Sequence, residues 1–139
     1  MVFGQNIDPE TEKKAVIATI SKFFEGMFKK DSVLIRQTLD PSVRLQTTGQ
    51  KNAVPFLKTE SVPDFLKSIA TPRKEIFDER ILSYDIKIDG LMASAWTPYK
   101  FYIDQNFSHC GVNSFLLYKS VEGWKIVQIM DTRRKENCE

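Results

Sequence analysis

The fold is decided by two runs, Ala93-Ser-Ala-Trp-Thr-Pro-Tyr-Lys-Phe-Tyr102 and Ser108-His-Cys-Gly-Val-Asn-Ser-Phe-Leu-Leu-Tyr118, separated by the polar break Asp104-Gln105-Asn106. Long, partly apolar runs around a short polar turn read as two long paired strands. The only histidine of the chain, His109, sits here beside a thiol and close to an amide.

Working outward, Val121-Glu122-Gly123 is a turn into a strand over Trp124–Asp131. On the other side, Asp89-Gly90 is the strongest hairpin signal in the chain, between strands over Arg80–Ile88 and Leu91–Tyr102. With Phe107–Tyr118, these make a four-stranded antiparallel meander.

Upstream the period is helical. Asp8-Pro9-Glu10 is a helix start: Asp8 caps, Pro9 suits the first helical position, and Glu10 and Glu12 complement the dipole. Val16, Ile17, Ile20, Phe23, Phe24, Met27 and Phe28 follow at helical spacing, predicting about 20 helical residues ending near Lys29-Lys30. This stripe reads as core rather than as a groove for a partner. Asp31 caps a second, short helix, with Pro41 shortly after its end. Val43–Thr48 alternates as a strand, while Gly49 to Lys58 is a loop or an extra short strand. Ser61, with Asp64 three residues on, opens a third helix that stops at Thr71-Pro72. Helices first and a meander after give an α+β class.

The bulk numbers agree with one domain over residues 1–139: 42% hydrophobic and 27% charged residues, net charge +2. The basic residues are scattered, with Lys29-Lys30 and Arg133-Arg134-Lys135 the exceptions, so no nucleic-acid-binding face is expected. The first eight residues have no basic region followed by an apolar run, and no spanning segment can be drawn. No signal peptide, no membrane association and a cytoplasmic location are the expectation. The two cysteines, Cys110 and Cys138, show no metal spacing or disulfide framework, so both thiols are expected to be reduced. No metal or other cofactor is implied.

Turn geometry sets register, and register sets faces. A two-residue turn at Asp89-Gly90 pairs Ile86 with Ala93 and Tyr84 with Ala95. A three-residue turn at Asp104-Gln105-Asn106 pairs Phe101 with His109, Tyr99 with Gly111, Thr97 with Asn113 and Ala95 with Phe115. A turn ending in Gly123 pairs Leu117 with Val127, Phe115 with Ile129, Asn113 with Asp131 and Gly111 with Arg133. The inner face is then apolar at one end (Tyr84, Ile86, Phe115, Leu117, Val127, Ile129) and polar at the other (Thr97, Tyr99, His109, Asn113, Asp131, Arg133). Ala93, Ala95 and Gly111 leave room. Apolar walls with converging polar groups suit a small-molecule site. The polar groups could equally satisfy one another at the open rim of the sheet. The opposite face carries Trp96, Cys110, Val112, Leu116, Tyr118, Trp124, Ile126 and Met130, and must be covered. A homodimer packing sheet on sheet is the simplest cover; the N-terminal segment or a loop is the alternative.

Helices followed by a long curved meander resemble the nuclear transport factor 2-like superfamily. More narrowly, Ala95–Tyr102, Ser108–Asn113, Gly123–Ile126 and Asp131–Arg134 resemble the family labelled lumazine-binding. The resemblance covers Asp8 to the end. It implies a cystatin-like α+β cone, with three N-terminal helices in the concave face of a curved, mainly antiparallel sheet. The fold also occurs in SnoaL-like cyclases, steroid isomerases and scytalone dehydratase. The carboxylate, tyrosine and protonated acid of the isomerases cannot be placed here residue by residue. The dehydratase pattern is incomplete with one histidine.

Three roles follow. The first is a homodimeric small-molecule-binding domain. Tyr84, Tyr99 and Phe115 would wall the ligand, and Thr97, His109, Asn113, Asp131 and Arg133 would meet its polar end. The second is an isomerase, cyclase or dehydratase. There His109 is the base, Asp131 raises its pKa and fixes its tautomer, and Tyr99 or Asn113 stabilises an enolate. The third is an interaction module. A thiol mechanism at Cys110 is disfavoured, because that residue faces away from His109.

Overall fold

A computed structural model describes residues 8–138 of the chain. Helix α1 (Pro9–Lys29) starts where the Asp8 carboxylate accepts from the Glu10 N–H, with Pro9 in its first turn. It ends at Lys30 in the left-handed region. Asp31 caps α2 (Ser32–Thr38) by accepting from Leu34 N–H. Ser61 caps α3 (Val62–Ala70) through Asp64 N–H. All three helix starts fall where local chemistry places them.

The strands are β1 (Leu39–Lys51), β2 (Val54–Glu60), β3 (Phe77–Ile81), β4 (Asp85–Asp89), β5 (Met92–Ile103), β6 (Asn106–Ser120) and β7 (Gly123–Thr132). They form a seven-stranded sheet in the order β2-β1-β7-β6-β5-β3, with β4 also on β5. Every pairing is antiparallel except β1 on β7. The chain is thus α+β, three helices packed on a curved, mainly antiparallel sheet. The core lies between α1 and the inner sheet face: Val16, Ile20 and Phe23 bury against Ala95, Phe115, Leu117 and Ile126. Phe23 and Phe24 meet the Phe115 ring edge-on, at 6.3 and 5.9 Å between centroids.

The register from β5 to β6 is the expected one over the inner face, Ala95 to Phe101 opposite Phe115 to His109. The route differs: the turn is tighter, with Ile103 opposite Asn106, and a bulge near Tyr102 restores the count. At the first hairpin Ile86 faces Ala95, not Ala93. That is a slip of two residues, which leaves the faces unchanged.

Three expectations fail because of irregularities. First, Arg80–Ile88 is not one strand: β3 and β4 are separate, and β3 aligns Glu79 with Phe101 and Ile81 with Tyr99. The break reverses which alternate residues look inward. Second, a bulge in the β6–β7 pairing sets Leu117 opposite Ile126 instead of Val127. Trp124 and Ile126 are therefore core residues, 5% and 0% exposed, and not part of an outer dimer face. The Trp124 indole N–H donates to Glu12 of α1 at 2.9 Å. Third, Cys110 and Cys138 form a disulfide, so the thiols are not reduced. The expectation of reduced thiols, drawn from a cytoplasmic default, is thus corrected, since disulfides persist chiefly in oxidising compartments. No helix among the described residues is long and apolar enough to cross a membrane.

Of the expected outer face, Trp96, Leu116 and Tyr118 are exposed by 53%, 39% and 41%, and Val112 is half-buried. The N-terminal residues 1–7, the alternative cover, lie outside the described residues. So do seven of the eight residues that carry the expectation of no signal peptide.

Candidate functional site

Between the helices and the far end of the inner face lies a cleft of about 330 Å³. Phe23, Phe24 and Met27 of α1 and Phe65 and Ile69 of α3 make its apolar side. The sheet contributes the polar end: Glu79 from β3, Tyr99 from β5, His109 and Asn113 from β6, Asp131 from β7, and Arg133 just beyond. The volume is at the small end of the range for ligand pockets.

Five expected residues therefore share the cleft: Tyr99, His109, Asn113, Asp131 and Arg133. Three do not. Thr97 is fully buried and donates to the Asn113 carbonyl at 3.1 Å, a structural bond across the ladder. Phe115 is fully buried between α1 and the sheet. Tyr84 falls in the break between β3 and β4, packs against the core and places its hydroxyl 3.4 Å from Ser21 of α1. The small residues also serve differently than expected. Ala93 and Ala95 belong to the buried cluster under α1. At Gly111, an added Cβ would sit 2.0 Å from the Thr132 carbonyl oxygen, so its lack of a side chain admits backbone rather than ligand.

Glu79 is the principal addition. Asn113 Nδ2 donates to its Oε2 at 2.5 Å. Burial pushes the Glu79 carboxyl up to about 7, reinforced by the Asp131 charge and opposed by the Asn113 hydrogen bond and Arg133. Its sequence signal was the alternation Phe77, Glu79, Ile81 against Asp78 and Arg80. Those odd positions look inward, while Ile86 and Ile88 set even positions inward, and only a bulge reconciles the two.

Asp131 is held on one side only. Its Oδ2 accepts from Arg133 Nε at 3.4 Å, while its Oδ1 is buried and has no hydrogen-bond partner among the described residues. A buried acceptor left unmatched costs free energy unless something donates to it. The Arg133 guanidinium lies at the rim, half exposed, also reaching Thr47 Oγ1 at 3.4 Å. The Tyr99 hydroxyl donates to the Thr132 carbonyl at 2.7 Å. Burial first, then the negative charges of Glu79 and Asp131, raises its pKa, so it stays neutral.

His109 lies over the Phe101 ring at 4.9 Å and meets Tyr99 edge-on at 5.8 Å. Its Nδ1 pairs with Ser108 Oγ at 3.0 Å. Asp131 pulls the His109 pKa upward, as expected, but neither decides the net shift nor fixes the tautomer. The pKa is lowered, because burial and the charges of Arg133 and Lys135 outweigh the Asp131 attraction. Ser108, not Asp131, holds the ring nitrogen. Cys110, tied in its disulfide, offers no thiol.

No family model matches this chain, and no curated protein matches it. Solved structures do. A nuclear transport factor 2-like protein of unknown function from Shewanella baltica superposes with a TM-score of 0.70 at 18% identity, over 94% of this chain and 100% of that one. A candidate dehydratase of the same fold family from Streptomyces avermitilis gives 0.72 at 14%, over 91% and 99%. A candidate ketosteroid isomerase from Shewanella frigidimarina gives 0.64 at 16%, over 84% and 94%. Likeness at such low identity speaks to architecture, and the architecture is the nuclear transport factor 2-like, cystatin-like fold.

Proposed function

We propose that the cleft binds a small amphipathic molecule, its apolar body among Phe23, Phe24, Met27 and Phe65 and a hydrogen-bond-donating head at the polar end. The observation that carries this reading is the buried, unmatched Asp131 Oδ1 at the polar end of a cleft whose other side is aromatic and aliphatic. An N–H or O–H of the ligand would supply the missing donor. Lumazine-type bicycles, which the resemblance in Ser108–Asn113 suggests, are flat and carry ring N–H groups. The test is an NMR titration with lumazine and with phenol and indole fragments. Binders should shift the Asn113 side-chain amide, and Asp131→Asn, which offers an N–H toward the ligand, should weaken them about tenfold, a loss of ~1.4 kcal/mol. Binders that leave Asn113 unmoved, or that ignore Asp131→Asn, would refute the assignment.

A second reading, proton transfer next to a carbonyl, is favoured by Glu79 rather than by His109. A carboxyl poised near neutrality and oriented by Asn113 suits a general base. Among structural neighbours are a candidate dehydratase and a candidate ketosteroid isomerase. On this reading Glu79→Gln keeps ligand binding and loses turnover; turnover that survives the change removes it.

We also propose a homodimer through the outer sheet face, now reduced to Trp96, Val112, Leu116 and Tyr118. Three of these four are exposed apolar side chains. A mass of one chain by light scattering at micromolar concentration would count against it.

A further inference from the structure

We infer that the Cys110–Cys138 disulfide is a redox latch on the cleft: oxidised, it fixes the segment that carries the polar end, and reduced, it lets that segment go. What this means for a ligand rests on the binding role proposed above; the latch itself does not.

Three consecutive residues at the end of β7 build the site. Asp131 supplies the unmatched carboxylate oxygen, and Arg133 reaches over the rim to Thr47 and Asp131. Between them, Thr132 accepts from the Tyr99 hydroxyl through its carbonyl and from the Val112 N–H through its Oγ1 at 3.1 Å. Its backbone occupies the space above Gly111. Beyond Thr132 the strand ladder stops. One isolated bridge remains, in which Cys110 and Arg134 exchange two backbone hydrogen bonds of 2.8 Å. Residues 132–137 are all exposed, so no buried apolar side chain anchors this stretch. A segment held so lightly opens locally unless it is tied down. The tie is the disulfide, 28 residues of chain apart in sequence and anchored in the middle of β6.

The anchor adjoins the site through the sheet. Cys110 is 2% exposed and faces away from the cleft, while its neighbour His109 faces in. One covalent bond on the outer surface thus holds inward-facing groups on both β6 and β7. The two sulfurs differ in access, since Cys138 is partly exposed and Cys110 buried. A dithiol reductant would therefore attack Cys138 Sγ as its thiolate. The S–S bond breaks, and its electron pair leaves on Cys110 Sγ, which takes up a proton. The second thiol of the reductant then displaces Cys138. Two protein thiols and one oxidised dithiol result.

The test uses the full chain, oxidised, reduced with dithiothreitol, and as the Cys138→Ser variant. Trypsin reads the segment directly, because Arg133, Arg134 and Lys135 are cleavage sites. NMR of the Asn113 side-chain amide and the His109 ring reads the cleft. The latch predicts cleavage at these three sites at least tenfold faster in the reduced protein and the variant. It also predicts shifted or broadened Asn113 and His109 signals, with reoxidation reversing both changes only where Cys138 is present. Unchanged cleavage would show that the segment is held without the bond. Faster cleavage with unmoved cleft signals, or collapse of the whole spectrum, would make the bond a staple and not a latch. Each of these outcomes overturns the inference. Neither readout needs a ligand, so a failed search for one leaves this result standing.

Discussion

Glu79→Gln should alter the pH dependence of stability in a direction the structure fixes. The unfolded carboxyl titrates near 4.5 and the folded one near 7, chiefly because folding buries it. Between those values the folded protein holds a proton that the unfolded chain has released. Stability from this group is therefore fully present below 4.5 and is lost as pH rises through about 7. At about 1.4 kcal/mol for each pH unit, the span from 4.5 to about 7 sets a ceiling of about 3.5 kcal/mol. Glu79 is only partly buried and its cleft is open to water, so about 2 kcal/mol is the expected size. Glutamine has no charge to lose, and its amide oxygen can still accept from Asn113. Urea unfolding of both proteins from about pH 4.5 to 8.5 reads the effect as the difference between the two. The variant should gain on the parent steadily and be the more stable by about 2 kcal/mol near pH 8. A difference that stays flat within about 0.5 kcal/mol, or that runs the other way, would show that Glu79 is not held as a buried carboxyl.

Two further predictions concern the frame around the site. Glu12 accepts from the Trp124 indole at Oε1 and from Lys119 at Oε2, each at 2.9 Å. Glu12→Ala leaves a buried N–H unmatched and should cost about 1–3 kcal/mol, read as a lowered urea midpoint, whereas Glu12→Gln should cost less. Equal stability of the alanine variant and the parent would remove this role. The Lys119 hydrogen bond is the largest of the causes that lower the Glu12 pKa. Its contribution is thus present above the unfolded value of 4.5 and fades as pH falls through the folded one. On the outer face, Leu116→Lys puts a charge in the middle of the proposed dimer contact. Light scattering should then give a single-chain mass where the parent gives two, and an unchanged mass would dismiss that surface.

Strict alternation made most of this chain legible, and the cleft shows where alternation stops being enough. Residues 97 to 101 and 109 to 113 obey a period of two without interruption, and the bulge near Tyr102 restores the register that a three-residue turn predicts, so Tyr99, His109 and Asn113 share the expected face. Asp131 followed because the β6–β7 pairing is regular from Asn113 to Leu116. The failures sit where one strand gains a residue. Nothing in Gln128 or Val127 announces a bulge except the odd adjacency of Ile126 and Ile129, both of which bury. Burial then decides the matter: turning Trp124 and Ile126 inward removes two large apolar side chains from water, a gain of about 1.5–3 kcal/mol each, which outweighs a disturbed ladder. The same competition reverses the parity between Ile81 and Ile86 and brings Glu79 into the cleft. The β1–β2 hairpin was obscure for another reason, because its turn uses Asn52 and Ala53 at φ of 54° and 64° with no glycine to mark it. Pairing of Cys110 with Cys138 depended on where the chain goes after β7, and no periodic signal covers residues 133–138. The polar end of the cleft is therefore assembled at the β3–β4 break, two bulges and a crosslink. A search for functional groups in such chains should begin where the apolar parity changes, not where it is cleanest.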